Sequence, residues 1–196
     1  MIVVDVETTG VDPQKHSLTS IGAIDFENPE NRFYAECKIF ERAHVDPKAL
    51  ELTGMTEAQI TDPIKKTDRE ILEAFIEWTK TTPEDTIAGQ NPSFDRDFLM
   101  ATAYRYHINW PFAFRTIDLH SVAYSHLMQK GEIPPTEKEH SKLDLDYIVK
   151  YCGIETKRGA HNAMEDTLLE AECLSRLIRN HKLLKEYDQY EIPWLS

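Results

Sequence analysis

The chain opens on Ile2-Val3-Val4 and Val6, an apolar β-branched run of strand length that Asp5 interrupts. Thr8-Thr9-Gly10 and Asp12-Pro13 close it with turn chemistry. The pattern predicts a strand over residues 1–6. Two more strands are expected over 17–26 and 32–40, with Asn28-Pro29-Glu30-Asn31 as the loop of a hairpin between them. The apolar period then lengthens to that of a helix. Ile71, Leu72, Phe75, Ile76 and Trp78 fall mostly on one face of a helix over 68–80, with Thr67 or Asp68 at its N-cap. A short strand over 86–88 leads to Asn91-Pro92, which has the form of an N-cap followed by proline at the first helical position. That helix is expected to reach about residue 106. A strand over 115–118, a helix to about 128, a polar loop over 131–140 with Pro134-Pro135, and helices over 143–151 and 163–178 complete the pattern. Three strands followed by strand–helix alternation predict an α/β fold with a mixed central sheet.

Composition narrows the class. The chain has 196 residues, 41% apolar and 29% charged, which suits one soluble globular domain with a sizeable core. No apolar run approaches the roughly 18 residues of a membrane span, so no membrane partner is expected. Met1-Ile2-Val3-Val4-Asp5 lacks the basic segment of a signal peptide. Cys37, Cys152 and Cys173 are odd in number and far apart, which suggests neither a disulfide framework nor a zinc site. A reducing, cytoplasmic setting fits that usage.

The net charge of −12 opposes a tight, sequence-reading duplex binder, which would carry a basic footprint. The charge is uneven: residues 1–100 hold 10 basic and 20 acidic residues, and residues 101–196 hold 12 and 14. A protein that handles only a few terminal nucleotides needs few phosphate contacts, and carboxylates that hold cations add to the acidity.

Three groups of residues carry candidate chemistry. Asp5 and Glu7 are two apart on the first strand, so they share a face with Val3, while Ile2, Val4 and Val6 face the other way. Paired carboxylates at the end of a buried strand repel and are costly to desolvate, and a divalent cation resolves both costs. A strand end that has simply reached solvent accounts for the pair equally well. Asp95 follows Gly89-Gln90-Asn91-Pro92-Ser93-Phe94 in the first turn of a helix, where an acid also suits the helix dipole. His161 and Asp166 stand in Gly159-Ala160-His161-Asn162-Ala163-Met164-Glu165-Asp166, the histidine in a loop and the acid in the helix that follows. An imidazole so placed can take a proton near neutral pH. The spacing is weak evidence alone, since His181 and Glu186 share it.

The three groups in order are what carries weight. Val4-Asp5-Val6-Glu7-Thr8-Thr9-Gly10, then Asn91-Pro92-Ser93-Phe94-Asp95, then His161-Asn162-Ala163-Met164-Glu165-Asp166 resembles the DEDDh family of 3′-to-5′ exonucleases. That family includes the proofreading subunit of bacterial replicative polymerases and the ribonuclease T group. Leu52-Thr53-Gly54-Met55-Thr56 is similar to a segment that the family places beside the terminal nucleotide, and the resemblance spans about residues 2–178. Gln90 departs from it: many members carry histidine there, and glutamine can hydrogen-bond but not titrate.

The resemblance implies an RNase H-like fold with a mixed five-stranded central sheet flanked by helices. It implies an exonuclease domain over residues 1–180; beyond it, Leu183, Leu184, Tyr187, Tyr190, Trp194 and Leu195 suggest that the C-terminal tail over 181–196 packs on the domain or meets a partner, either a polymerase or a second copy. Asp5, Glu7, Asp95 and Asp166 would hold two Mg²⁺ or Mn²⁺ ions, and His161 would accept the proton of the attacking water. Thr8, Thr9 and Gly10, through their backbone, together with Asn91, would bind the terminal nucleotide. Met55 and Phe94 would contact its base, although an ordinary core or surface methionine is an equal reading of Met55. Lys142, Lys157 and Arg158 are candidate phosphate contacts or simple surface charges. The expected partner is nucleic acid with a single-stranded 3′ end. A ribonuclease H-like endonuclease would share the acids without needing the His161–Asp166 arrangement. A non-catalytic nucleic-acid-binding module would be expected to have lost some of these residues. A phosphatase acting on small nucleotides is a further rival.

Overall fold

The computed structural model describes residues 1–156 and 159–195. Its centre is β1 (Ile2–Thr8), flanked by β2 (Leu18–Asp25) and then β3 (Asn28–Glu36) on one side, and by β4 (Ile87–Gly89) and β5 (Thr116–Asp118) on the other. β1, β2 and β3 pair antiparallel, whereas β1, β4 and β5 run parallel, so the five-stranded sheet is mixed as expected.

Both faces of the sheet are covered. Ile2, Val4 and Val6 pack with Ile21 and Ala23 against Phe75 of α3 (Asp68–Thr79) and Phe98 and Leu99 of α4 (Pro92–Arg105). Met1 and Val3 point to the other layer, built by α5 (Leu119–Gln129), α6 (Leu145–Tyr151) and α7 (Ala163–Arg179). The two-residue period of β1 therefore sorts its side chains as the sequence predicts.

Several boundaries differ from the sequence reading. Asn28 to Asn31 is not a loop: Asp25 pairs with Asn28, and the turn is Phe26-Glu27, held where Asp25 Oδ1 accepts the Glu27 N–H at 3.0 Å. Pro29 fits a strand because β3 is an edge, where one row of N–H groups has no strand to meet. β3 also stops at Glu36 instead of reaching Phe40, since the N–H groups of Lys38 and Ile39 donate to Lys66 and Ile60. Two short helices, α1 (Pro47–Thr53) and α2 (Glu57–Ile60), occupy a stretch to which the apolar pattern assigned no element. α1 buries none of its side chains, so it writes no apolar face into the sequence. Asp46 and Thr56 cap the two helices, Thr56 through a reciprocal box with Gln59. The expected loop over 131–140 contains a small hairpin, Thr136–Glu137 with His140–Ser141, whose turn residues Lys138 and Glu139 both adopt positive φ.

The tail packs on the second layer through the buried Leu184, with Leu183, Tyr187, Tyr190 and Trp194 against the same cluster. A buried ion pair fastens it. Arg176 meets Glu172 at 2.6 Å and donates to the carbonyls of Cys152, Tyr187 and Glu191. Glu172 Oε2 accepts the N–H groups of Leu183 and Leu184, each at 2.8 Å. A buried charge pair is tolerable when its remaining hydrogen-bonding capacity is filled in this way. Among the described residues no helix is long and apolar enough to cross a membrane.

Candidate active site

Four carboxylates and a histidine from distant parts of the chain meet where β1 and β4 end. Asp5 and Glu7 project from the face of β1 that carries Val3. Asp95 arrives from α4. The chain leaves β4 through Gly89-Gln90 and turns at Asn91, which holds the expected N-cap position but sits in the left-handed region at φ 55° and makes no side-chain cap hydrogen bond. Pro92 then starts the helix, and one turn on, Asp95 Oδ1 accepts the backbone N–H of Val6 at 3.0 Å. That bond ties the acid of α4 to the strand that bears Asp5 and Glu7.

Asp166 is set by the close approach of α7 to the sheet. Gly22 pairs with Asp5 in the β1–β2 ladder, and a Cβ there would lie 2.3 Å from the Ala163 carbonyl oxygen. Only a glycine allows the first turn of α7 to rest on the sheet at that point. Asn162 caps the helix by accepting the N–H groups of Met164 and Glu165, and His161 precedes the cap. His161 is 43% exposed in its side chain, and its Nδ1 lies 3.9 Å from Asp166 Oδ2. The backbone N–H of His161 donates to the Leu52 carbonyl at 2.9 Å, which joins this loop to the end of α1. Glu7, His161 and Asp166 offer ligand atoms that all lie within 4.8 Å of one another.

A cleft of about 420 Å³ opens over these groups and is bordered by Asp5, Glu7, Asp95 and His161. Of the residues expected to touch a nucleotide, Thr8, Gly10, Asn91 and Phe94 border it. Phe94 packs on Phe98, with ring centroids 4.9 Å apart. Thr9 does not border it; its hydroxyl donates to the His44 carbonyl and accepts the Ser17 N–H, while its own N–H and C=O engage Ser17 and Asp46. Met55 also lies outside the lining, and Leu52 and Val11, both largely exposed, supply the apolar wall instead. Lys142 is paired with Glu137 at 3.3 Å on the surface, and Lys157 and Arg158 lie outside the described residues.

The electrostatics fit a cation seat. Burial raises the Asp5 carboxyl well above its ordinary range, and Glu170, Asp95, Glu7 and Asp166 push it further. Asp95 is pushed up to about 7, chiefly by burial, against the lowering effect of the N–H it accepts. Carboxylates crowded at this cost, with an all-oxygen donor set, suit hard divalent ions, whose charge relieves the repulsion.

Sequence reasoning missed Glu170. It lies one helical turn beyond Asp166, is 1% exposed, and its carboxylate packs against Gly89, where a Cβ would stand 2.9 Å from Glu170 Oε2. The i, i+4 spacing from Asp166 was the available signal. Gln90 borders the cleft and donates its side-chain amide to the Leu143 carbonyl at 2.8 Å, rooting the segment that leads into α6.

The mixed five-stranded sheet flanked by helices, with acids from β1, α4 and α7 gathered together, is an RNase H-like fold, as expected. A sequence model of the exonuclease family, RNase T type, matches residues 2–174, so the chain belongs to that family. It is 28% identical over 193 residues to the 3′-5′ DNA exonuclease Cap18 of Escherichia coli, covering 96% of each chain. It is 27% identical over 204 residues to ribonuclease T of Yersinia pseudotuberculosis, covering 93% of this chain and 86% of the relative. Its fold is similar to that of E. coli exonuclease I solved with a dA16 oligonucleotide, at a TM-score of 0.71 and 23% identity. That match covers 92% of this chain but only 40% of the larger enzyme.

Proposed function

We propose that this chain removes nucleotides one at a time from the 3′ end of a single strand, by metal-dependent hydrolysis that releases nucleoside 5′-monophosphates. The observation that carries this reading is the meeting of Asp5, Glu7, Asp95 and His161 at one cleft with Asp166 beside them, from stretches up to 161 positions apart in the chain. Asp5, Glu7, Asp95 and Asp166 would hold two Mg²⁺ or Mn²⁺ ions, which when bound neutralise the acids, stabilise developing charge and acidify water. His161 accepts the proton of the attacking water as oxygen bonds to phosphorus and the P–O3′ bond breaks. Asp166 stands at ion-pair distance from the imidazolium so formed. Phe94, Leu52 and Val11 offer apolar surface to the terminal bases, and a frayed strand exposes base faces for such contact.

Single-stranded DNA is the polymer proposed first, because the relative matched end to end carries a DNA exonuclease name. The three cysteines are free and buried, which supports a reducing compartment such as the cytoplasm. The test is digestion of 5′-labelled single-stranded DNA and matching RNA with Mn²⁺ or with EDTA, beside Asp166→Ala. A metal-dependent ladder that shortens from the 3′ end and is absent in the variant supports the reading. Intact polymers in the presence of metal would overturn it. A ladder on RNA alone would keep the reaction and replace the polymer.

A further inference from the structure

Lys48 is the one lysine or arginine that borders the cleft among the described residues. It is exposed on α1, and among the described residues no carboxylate pairs with its ammonium. Asp5, Glu7, Asp46 and Asp95 border the same cleft. Asp46 is otherwise committed: its Oδ1 accepts the Lys48 N–H at 2.9 Å as the cap of α1.

The position of α1 is fixed from both ends. The Asp46 N–H donates to the Thr9 carbonyl at 2.7 Å, beside the strand that bears Asp5 and Glu7. The Leu52 carbonyl receives the His161 N–H at 2.9 Å. α1 therefore bridges the first acidic strand and the histidine loop, and it buries none of its own side chains. Its lysine faces an acidic cleft in a chain of net charge −12, where a polyanion would otherwise meet only repulsion until cations enter.

We infer that Lys48 binds a phosphate of the strand other than the one being cleaved. The inference rests on the exonuclease reading. Cations held by the four acids would take the scissile phosphate, and an ammonium that stands apart from those acids is left for a neighbouring phosphate of the same strand. A lysine serves there as a point charge without reading base identity.

The test compares Lys48→Ala, Lys48→Arg and the unaltered chain. Binding of a fluorescent single-stranded oligonucleotide is followed against salt in Ca²⁺, and KM and kcat are measured in Mn²⁺ on dinucleotide and trinucleotide substrates. Loss of one phosphate contact flattens the slope of log K against log salt by about 0.7. Lys48→Ala should show that change and raise KM several-fold on the trinucleotide with little effect on kcat. The rise should be smaller on the dinucleotide, which has only the phosphate to be cleaved. Lys48→Arg should restore the slope. An unchanged slope, or equal KM effects on both substrates, overturns the inference while a wild-type ladder leaves the exonuclease reading standing. A wild-type chain that neither binds nor shortens a strand overturns both.

Discussion

Gly22 and Ala163 touch so closely that no side chain fits between them: a Cβ on Gly22 would lie 2.3 Å from the Ala163 carbonyl oxygen and 2.7 Å from the Met164 nitrogen. Gly22 is also the ladder partner of Asp5. The spacing between sheet and α7, and with it the separation of Asp5 from Asp166, depends on one missing methyl group. Backbone atoms cannot move aside as a flexible side chain would. Gly22→Ala should therefore destabilise the fold by about 1–3 kcal/mol, as overpacking does, and lower kcat more than KM. Urea denaturation beside oligonucleotide kinetics checks this; full activity in a folded variant would show that α7 can shift without cost.

The buried acids predict a pH dependence for the metal-free chain. An Asp in the unfolded chain titrates near 3.9, whereas Asp95 in the folded chain holds its proton up to about 7. The folded state thus binds more protons between those values. The contribution of this group is fully present below the unfolded pKa and is lost as pH rises through about 7. Asp5 is shifted in the same direction. In EDTA, Tm should fall from pH 5 to pH 8, and Asp95→Asn should flatten that fall. Mg²⁺ or Mn²⁺ should raise Tm more at pH 8 than at pH 5, because cations compete with protons for the same oxygens. A metal-free Tm that rises over this range would contradict the assignment.

Glu170 adds a further negative charge beside Asp5, the largest of the neighbouring charges that raise it. Glu170→Gln keeps the shape and removes the charge. The variant should be more stable than wild type at pH 8 in EDTA and should require several-fold more Mn²⁺ for half-maximal activity, since less negative potential draws the cation in. Thermal melts and a metal titration read the two effects separately. Unchanged metal demand would show that Glu170 is only a packing group.

The tail should prove inseparable from the fold. Arg176→Ala leaves Glu172 buried without its cation and frees three carbonyls, a loss of about 3–5 kcal/mol for a broken buried pair. Deleting residues 181–196 removes the Leu183 and Leu184 N–H groups from Glu172 and exposes the second layer, so it should be at least as damaging. Urea denaturation of both variants checks the order; a truncated chain of wild-type stability would make the tail an accessory.

Much of this protein was legible from its sequence, because the signals are local. The two-residue period of β1 assigned Val3, Asp5 and Glu7 to one face, and the helical period placed α3 and α7 almost to their ends. The order of the acidic groups identified the family, and the four acids and His161 gather at one cleft or beside it. What sequence alone left undecided depends on partners distant in the chain. Lys38 and Ile39 leave the sheet because Lys66 and Ile60 offer carbonyls to them, a choice that no property of the two residues announces. α1 is invisible to periodicity because it buries no side chain, yet it brings Lys48 and Leu52 to the cleft in place of Met55. Glu170 reads as one more helical acid until the close approach of α7 to Gly89 buries it beside Asp5. The sequence by itself determined which groups are candidates for the chemistry and on which elements they ride. Tertiary packing decided how closely those elements approach, and it is this approach that sets the charge each group feels.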